Sequence, residues 1–271
     1  MELVSLLSEY RVIVVAGADA KDFLQAQLTC DLNSLSPDEG CFGALLNPKG
    51  KVQAAGYLLP HEGNWLMLVH PEVAETTVTH LSRYILRAKV ELGESGLFAV
   101  GLGAAKPREG DTAEPAGGFD RLSGSSENFF SLPDGRQIGV SAEPAENSDV
   151  AAWRQADFQA GVVSVDGALH DRFIPAMLGL DTMGGVSFSK GCYPGQEIVA
   201  RARHLGRVKR TLALLQSTER LTVGQELSSS DGARAGEVID VLQTAVGWQA
   251  QAVINRGLEA LSGVDSLRYY A

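Results

Sequence analysis

Short apolar and β-branched runs, each closed by a turn residue, recur along this chain and commit most of it to strands. "YRVIVVAG" (10–17) ends at Gly17 and reads as a buried strand. "CFGALLNPKGKVQAAGYLL" reads as two strands joined by the turn Asn47-Pro48-Lys49-Gly50. "NWLMLVH", "AKVEL" and "LFAVGLG" supply three more, and two shorter pieces lie around Phe129 and Ile138. Beyond Gly206, "RTLALLQS", "GEVIDVLQ" and "QAQAVIN" alternate with glycine-bearing turns, the pattern of a small antiparallel barrel or sandwich.

Between these runs the sequence places four helices. In "DAKDFLQAQL", Asp19 is the expected N-cap and Asp22 offsets the helix dipole from the first turn. Pro71 opens a second helix in which Ala74, Val78, Leu81 and Ile85 recur at helical spacing. Asp149 is placed to cap "VAAWRQADFQA", which Gly161 ends. "PGQEIVARARHL" runs from Pro194 to Gly206, with Glu197 and Arg201 one turn apart as a favourable pair. The stretch 104–120 turns to Ala, Gly, Pro and charge and reads as a linker, and no internal repeat is present. Together these elements give an α+β chain.

Composition narrows the function. A net charge of −10 and a pI near 5.0 disfavour a general nucleic-acid binder, while a local basic patch stays compatible with them. Cys30, Cys41 and Cys192 are an odd number without C-x-x-C spacing, which disfavours a disulfide framework, a self-contained zinc site and a four-thiolate cluster. No metal site is expected. Neither the five histidines nor the serines form a metalloprotease or nucleophile-elbow pattern. The acidic opening residues and the lack of a long apolar span lead to the expectation of a cytoplasmic protein with no membrane partner.

One stretch departs from this acidic background. "SKGCYPGQEIVARARHLGRVKR" sets Cys192 between two glycines and gathers six Lys and Arg residues around it. With Lys190 and Arg201 nearby, the thiol is a candidate nucleophile of lowered pKa. The competing reading is a small packed hydrophobe, and the residues alone leave the two balanced. Trp153 is similarly open: a core residue, or an aromatic that stacks on a flat heterocycle. Lys49 and Lys51, in the "NPKGKV" turn, are either solvated or placed to hold an anion.

"GGVSFSKGCYPGQEIVARARHLGRVKR" resembles the signature of the YgfZ family, whose pattern K-G-C-Y-x-G-Q-E falls on Lys190, Gly191, Cys192, Tyr193, Gly195, Gln196 and Glu197. "GADAKDFLQAQLTCDL", "LNPKGKV", "WRQADFQAGVVSVDG" and "FIPAMLGLDTMGGVSF" follow the family in order, with Ala26 where glycine is usual. The resemblance implies an aminomethyltransferase-like fold of three lobes around a central channel that takes a tetrahydrofolate. It assigns 1–48 and 150–205 to a first lobe, 49–149 to a second, and 206–271 to a C-terminal barrel. It further implies folate contacts at Tyr10, Trp153 and Gln159, the last standing where aminomethyltransferases carry Glu. The implied role is that of an accessory to iron–sulfur cluster assembly or repair. Its partners would be assembly factors or cluster-dependent enzymes such as those that modify tRNA, with a weak tRNA contact in addition. "HPEVAETTVTH" lacks the Asp that assists methylene transfer in aminomethyltransferases, which makes one-carbon transfer to an unknown substrate the alternative.

Overall fold

The computed structural model describes residues 4–103, 119, 121–126, 128–146, 150–205 and 208–270. Its elements run β1 (Ser5–Leu6), β2 (Arg11–Ala16), α1 (Ala20–Gln27), β3 (Glu39–Leu46), β4 (Val52–His61), β5 (Asn64–Val69) and α2 (Pro71–Ser82). There follow β6 (Glu91–Glu94), β7 (Phe98–Leu102), β8 (Leu122–Ser126), β9 (Phe129–Ser131), β10 (Gln137–Ser141), α3 (Val150–Ala160) and α4 (Gln196–Leu205). The last strands are β11 (Arg210–Ser217), β12 (Glu226–Ser228), β13 (Arg234–Thr244), β14 (Gly247–Asn255) and β15 (Ser266–Tyr269). Ten strands join in one sheet of order β1-β7-β10-β9-β8-β3-β4-β5-β2-β6, and five in a second of order β12-β13-β14-β11-β15. The α+β reading therefore holds, and the segment after 206 forms an antiparallel sheet.

The continuous apolar run of β2 has a simple cause. Ile13 and Val15 pack on one face of the sheet with Phe23 and Leu24 of α1, Leu28 just after it, and Val73 of α2. Val12 and Val14 pack on the other, with Phe42, Tyr57, Trp153 and the chain from Val162 to Val186. A strand covered on both faces has no polar side to show, so alternation disappears. The Asn47-Pro48-Lys49-Gly50 turn forms as expected: Asn47 Oδ1 accepts from the Lys49 and Lys51 amides at 2.8 and 3.0 Å. This turn joins β3 to β4, so strands on either side of residue 48 share one sheet.

Some local expectations change. Asp19 precedes α1 without capping it; its carboxylate instead accepts from the Lys89 amide at 2.7 Å and ties the helix start to the chain before β6. α2 ends at Ser82, so Ile85 lies beyond it, and its buried face is Val73, Ala74, Thr77 and Leu81. The start of α2 is capped by His70, whose ring nitrogen accepts from the Glu72 amide at 3.3 Å. Strands β8, β12 and β15 carry too few apolar residues to be legible beforehand. The expected Asp149 cap, the Gly206 stop and nearly all of the 104–120 linker lie outside the described residues.

In the C-terminal sheet a bulge between Val238 and Asp240 shifts the register of β13 against β14. A bulge places consecutive side chains out of strict alternation. Here Ile239 joins the main core, while Asp240, opposite Gln251, reaches Arg154 of α3 at 2.8 Å. The sheet thus presents both an apolar and a charged contact to the rest of the chain.

Candidate functional site

After Ser187 the chain runs as a loop to α4, and two anchors fix it. The first is Lys190, only 8% exposed. Its ammonium donates to the carbonyls of Gln25, Leu28 and Cys30 at 2.5, 2.7 and 2.7 Å. Gln25 lies in the last turn of α1, Leu28 is its C-cap and Cys30 follows, so the cation satisfies carbonyls at and just past the helix end and meets the negative end of the dipole. Burial pushes the ammonium below the usual lysine range, against the pull of Cys30 and Asp31. The second anchor is Tyr193, buried in the main core, its phenol pushed up to about 12 by burial. Its ring centroid lies 5.3 Å from Lys190 Nζ, so the two anchors touch.

Gly191 and Cys192 form the exposed tip between these anchors, and a side chain at Gly191 would meet no atom within 4 Å. The balanced question about Cys192 is thereby resolved in part: it is not a packed hydrophobe. Lys190, the expected tuning group, gives its three N–H donors to three carbonyl acceptors. Arg201 pairs with Glu197 at 3.1 Å, the expected i,i+4 contact on an exposed face. Arg203 lies 3.9 Å over the ring of Phe188. The other two cysteines are buried beneath the tip. Cys41 hydrogen-bonds the Cys30 thiol, which lowers the Cys30 pKa.

A second sequence motif meets this one. Gly195, before α4, and Gly50, in the NPKG turn, have φ of +79° and +70°, which suit glycine. A Cβ on Gly195 would stand 2.8 Å from the Gly50 Cα, and one on Gly50 would stand 2.8 Å from Ile198. Backbone packed on backbone joins the two turns. The Gln196 amide bonds the Tyr193 carbonyl at 3.2 Å, and Glu197 lies in the first turn of α4. Lys51 donates to the Arg172 carbonyl at 2.9 Å.

The residues expected to contact a flat ring divide between two places. Tyr10 and Trp153 belong to one core, joined by Tyr57, whose ring lies edge-on to Tyr10 at 5.8 Å. Trp153, 4% exposed, is already stacked: Arg136 sits 4.2 Å over its ring, and the backbone of Gly101 abuts its benzo portion. Its ring is therefore covered by Arg136, whereas Tyr10 is half-buried. Gln159 lies on another face of α3, taking a hydrogen bond from Arg268 at 2.9 Å and giving one to Gln249 at 3.4 Å.

Around Trp153 lies a charge network with no local sequence signal. Arg136, 1% exposed, binds Asp134 at 2.7 Å and Asp157 at 2.8 Å and donates to the Trp153 carbonyl. Arg154 binds Glu9 at 3.0 Å and Asp240 at 2.8 Å. Four carboxylates thus face two guanidinium groups. Burial pushes Asp157 up to about 6 against the pull of Arg136, and Glu9 up to about 7 against that of Arg154. The only prior hint was the i,i+4 spacing of Trp153 and Asp157 on α3.

These shifts set a pH dependence. Both carboxyls keep their protons in the fold at pH values where the unfolded chain has released them, so stability declines as pH rises from about 4.5 to about 7. Thermal melts of Glu9→Gln should show a shallower decline and a gain over the native chain at the upper end. An unchanged slope would remove Glu9 from this account.

No protein-family model matches the chain. Among curated proteins it is similar to the "tRNA-modifying protein YgfZ" of Vibrio atlanticus (strain LGP32), at 30% identity over 88% of this chain and 79% of that one. The protein of the same name from Edwardsiella ictaluri (strain 93-146) is 31% identical over 94% of this chain and 85% of the relative. Among solved structures, the glycine cleavage system aminomethyltransferase T of Bartonella henselae superposes with a TM-score of 0.66 at 13% identity. That match covers 100% of this chain and 85% of the other, and shows a shared fold.

Proposed function

The chain belongs to the YgfZ family, and on that footing we propose that it is a tetrahydrofolate-binding accessory protein that presents the Cys192 thiol during assembly or repair of iron–sulfur clusters in tRNA-modifying enzymes. The observation that carries the reading is the anchored tip. Lys190 and Tyr193 hold Cys192 outward, where a partner protein reaches it. An iron–sulfur cluster takes several thiolates, and one exposed cysteine supplies a single ligand, so the rest would come from the partner. Such a partner is an assembly factor or the client enzyme itself.

The folate part of the proposal rests on the aminomethyltransferase-like fold and on the residues around Tyr10. They fit a flat, hydrogen-bonding ring: Tyr10 is half-buried, and the polar atom Trp153 Nε1 is buried without a hydrogen-bond partner. Tyr10, Tyr57 and the Trp153 wall would hold the ring, in a channel between the lobes. When bound, tetrahydrofolate would supply a carrier for one-carbon units.

In cells lacking their own copy, Cys192→Ala should abolish support of cluster-dependent tRNA methylthiolation, read by mass spectrometry of tRNA nucleosides. Because the thiol is exposed, stability should change by less than about 0.5 kcal/mol. Full methylthiolation with the alanine variant would sink the role given to Cys192.

A further inference from the structure

The segment from Leu28 to Cys30 is the floor on which the tip rests. The carbonyls of Leu28 and Cys30 take the Lys190 ammonium at 2.7 Å each, and the Thr29 carbonyl takes the Ser187 amide at 2.8 Å. The same segment is pinned to β3 from the other side. The Thr29 amide donates to the Ala44 carbonyl at 2.9 Å, and Leu28 bridges Leu45. A shift of Cys30 is therefore passed to the loop that carries Cys192.

Two reduced thiols lie at this floor. Cys30 and Cys41 are 2% and 1% exposed and belong to the same apolar core. Gly43 makes room for the first, since a Cβ at Gly43 would stand 2.5 Å from Cys30 Sγ. Cys41 lies two residues along β3 from Gly43, on the same face of the strand. The two side chains meet there in a hydrogen bond. That contact lowers the Cys30 pKa against the effect of burial, and the Lys190 ammonium adds to it. Both favour the thiolate, the form that oxidants attack.

We propose that Cys30 and Cys41 are a peroxide-sensitive dithiol whose disulfide draws the Cys30 carbonyl off Lys190 and loosens the tip. Hydrogen peroxide, small and uncharged, is the oxidant. The Cys30 thiolate attacks one peroxide oxygen and becomes a sulfenic acid; the O–O bond breaks, and the departing hydroxide takes up the Cys30 proton as water. The Cys41 thiol then attacks the sulfenic sulfur. The S–S bond forms, the S–O bond breaks, and a second water leaves with the Cys41 proton. Two thiols thus lose two electrons and two protons, and both peroxide oxygens end as water. Cys30 faces Gly43, so Cys41 is its diagonal neighbour across the two strands. Diagonal positions lie about 7–8 Å apart at Cα, beyond the usual disulfide span, so closing the bond moves backbone. As control over the tip, this rests on the role given to Cys192; the disulfide and the release of Lys190 stand without it.

Treatment of the full chain with hydrogen peroxide tests this with two readouts. Cleavage at Asp31 and Asp38 puts the two cysteines on separate peptides. Mass spectrometry without reductant should find those peptides joined with the loss of two hydrogens, and dithiothreitol should part them. Acetylation of Lys190 by an N-hydroxysuccinimide ester, applied to the folded protein, reads the tip. Losing one of three charge-assisted bonds should raise it roughly tenfold. Cys41→Ala should prevent both the linkage and the rise, and the native chain decides the matter even if that variant fails to fold. Thiols at Cys30 and Cys41 that survive a dose oxidising all of Cys192 would overturn the proposal. So would a linked pair with Lys190 still protected, or a bond from either thiol to Cys192. None of these results bears on whether Cys192 serves clusters, which tRNA methylthiolation reads separately.

Discussion

Arg136→Leu is expected to lower the unfolding free energy by about 3–5 kcal/mol at pH 8, the cost of leaving buried carboxylates without their cation. Asp134 and Asp157 both bind this guanidinium, which is 1% exposed, and Trp153 loses the group that covers its ring. Arg136 is the strongest influence holding Asp157 down, so its removal sends that carboxyl further above about 6. The unfolded chain releases the same proton at an ordinary aspartate pKa, so the penalty grows as pH rises from there through the folded value. Urea titrations at pH 5 and pH 8 should therefore show a smaller deficit at the lower pH. Adding Asp157→Leu should recover part of the loss, because an apolar pair replaces a broken ionic one. A deficit under about 1 kcal/mol at pH 8 would mean that water reaches this site freely.

Lys190→Met should be the second costly change. Methionine keeps most of the side-chain volume and removes the charge, leaving the carbonyls of Gln25, Leu28 and Cys30 without this donor. Orphaned buried acceptors cost about 1–3 kcal/mol each, and a total of about 3 kcal/mol is expected after local relaxation. Lys190→Arg should not restore the loss, since a planar fork does not converge on three oxygens as an ammonium does. The same variant separates anchoring from tuning. If Lys190 acts on stability alone, the Cys192 thiol reacts with a small disulfide reagent at the native rate, within about twofold. A larger fall in that rate, with stability unchanged, would return Lys190 to the role of a tuning cation.

The strand-rich plan was legible because the main sheet is covered on both faces, and "RVIVVA" shows that as an unbroken apolar run. The NPKG turn and the Glu197–Arg201 pair were legible because each is a short-range device. The partners of Lys190 were not, for they lie about 160 residues away in sequence and are backbone atoms with no residue code. Arg136 looked like one more polar turn residue, and nothing near it announces a buried guanidinium. Trp153 could be either wall or platform until Arg136 was seen above it. Gln159, which the resemblance carries to the ligand, hydrogen-bonds Arg268 and Gln249, partners about 90 residues or more away that no local pattern announces.

The chain has three cysteines, two of them sealed in the core and the third at the exposed tip. It therefore carries its own attachment point for a reporter, without mutagenesis. A maleimide fluorophore or nitroxide added to the native protein goes to Cys192 and to a loop pinned at both ends, so its signal follows what approaches the tip rather than the loop's own wandering. The client enzyme or assembly factor proposed above could then be titrated against the unaltered fold, and its arrival read at the Cys192 thiol.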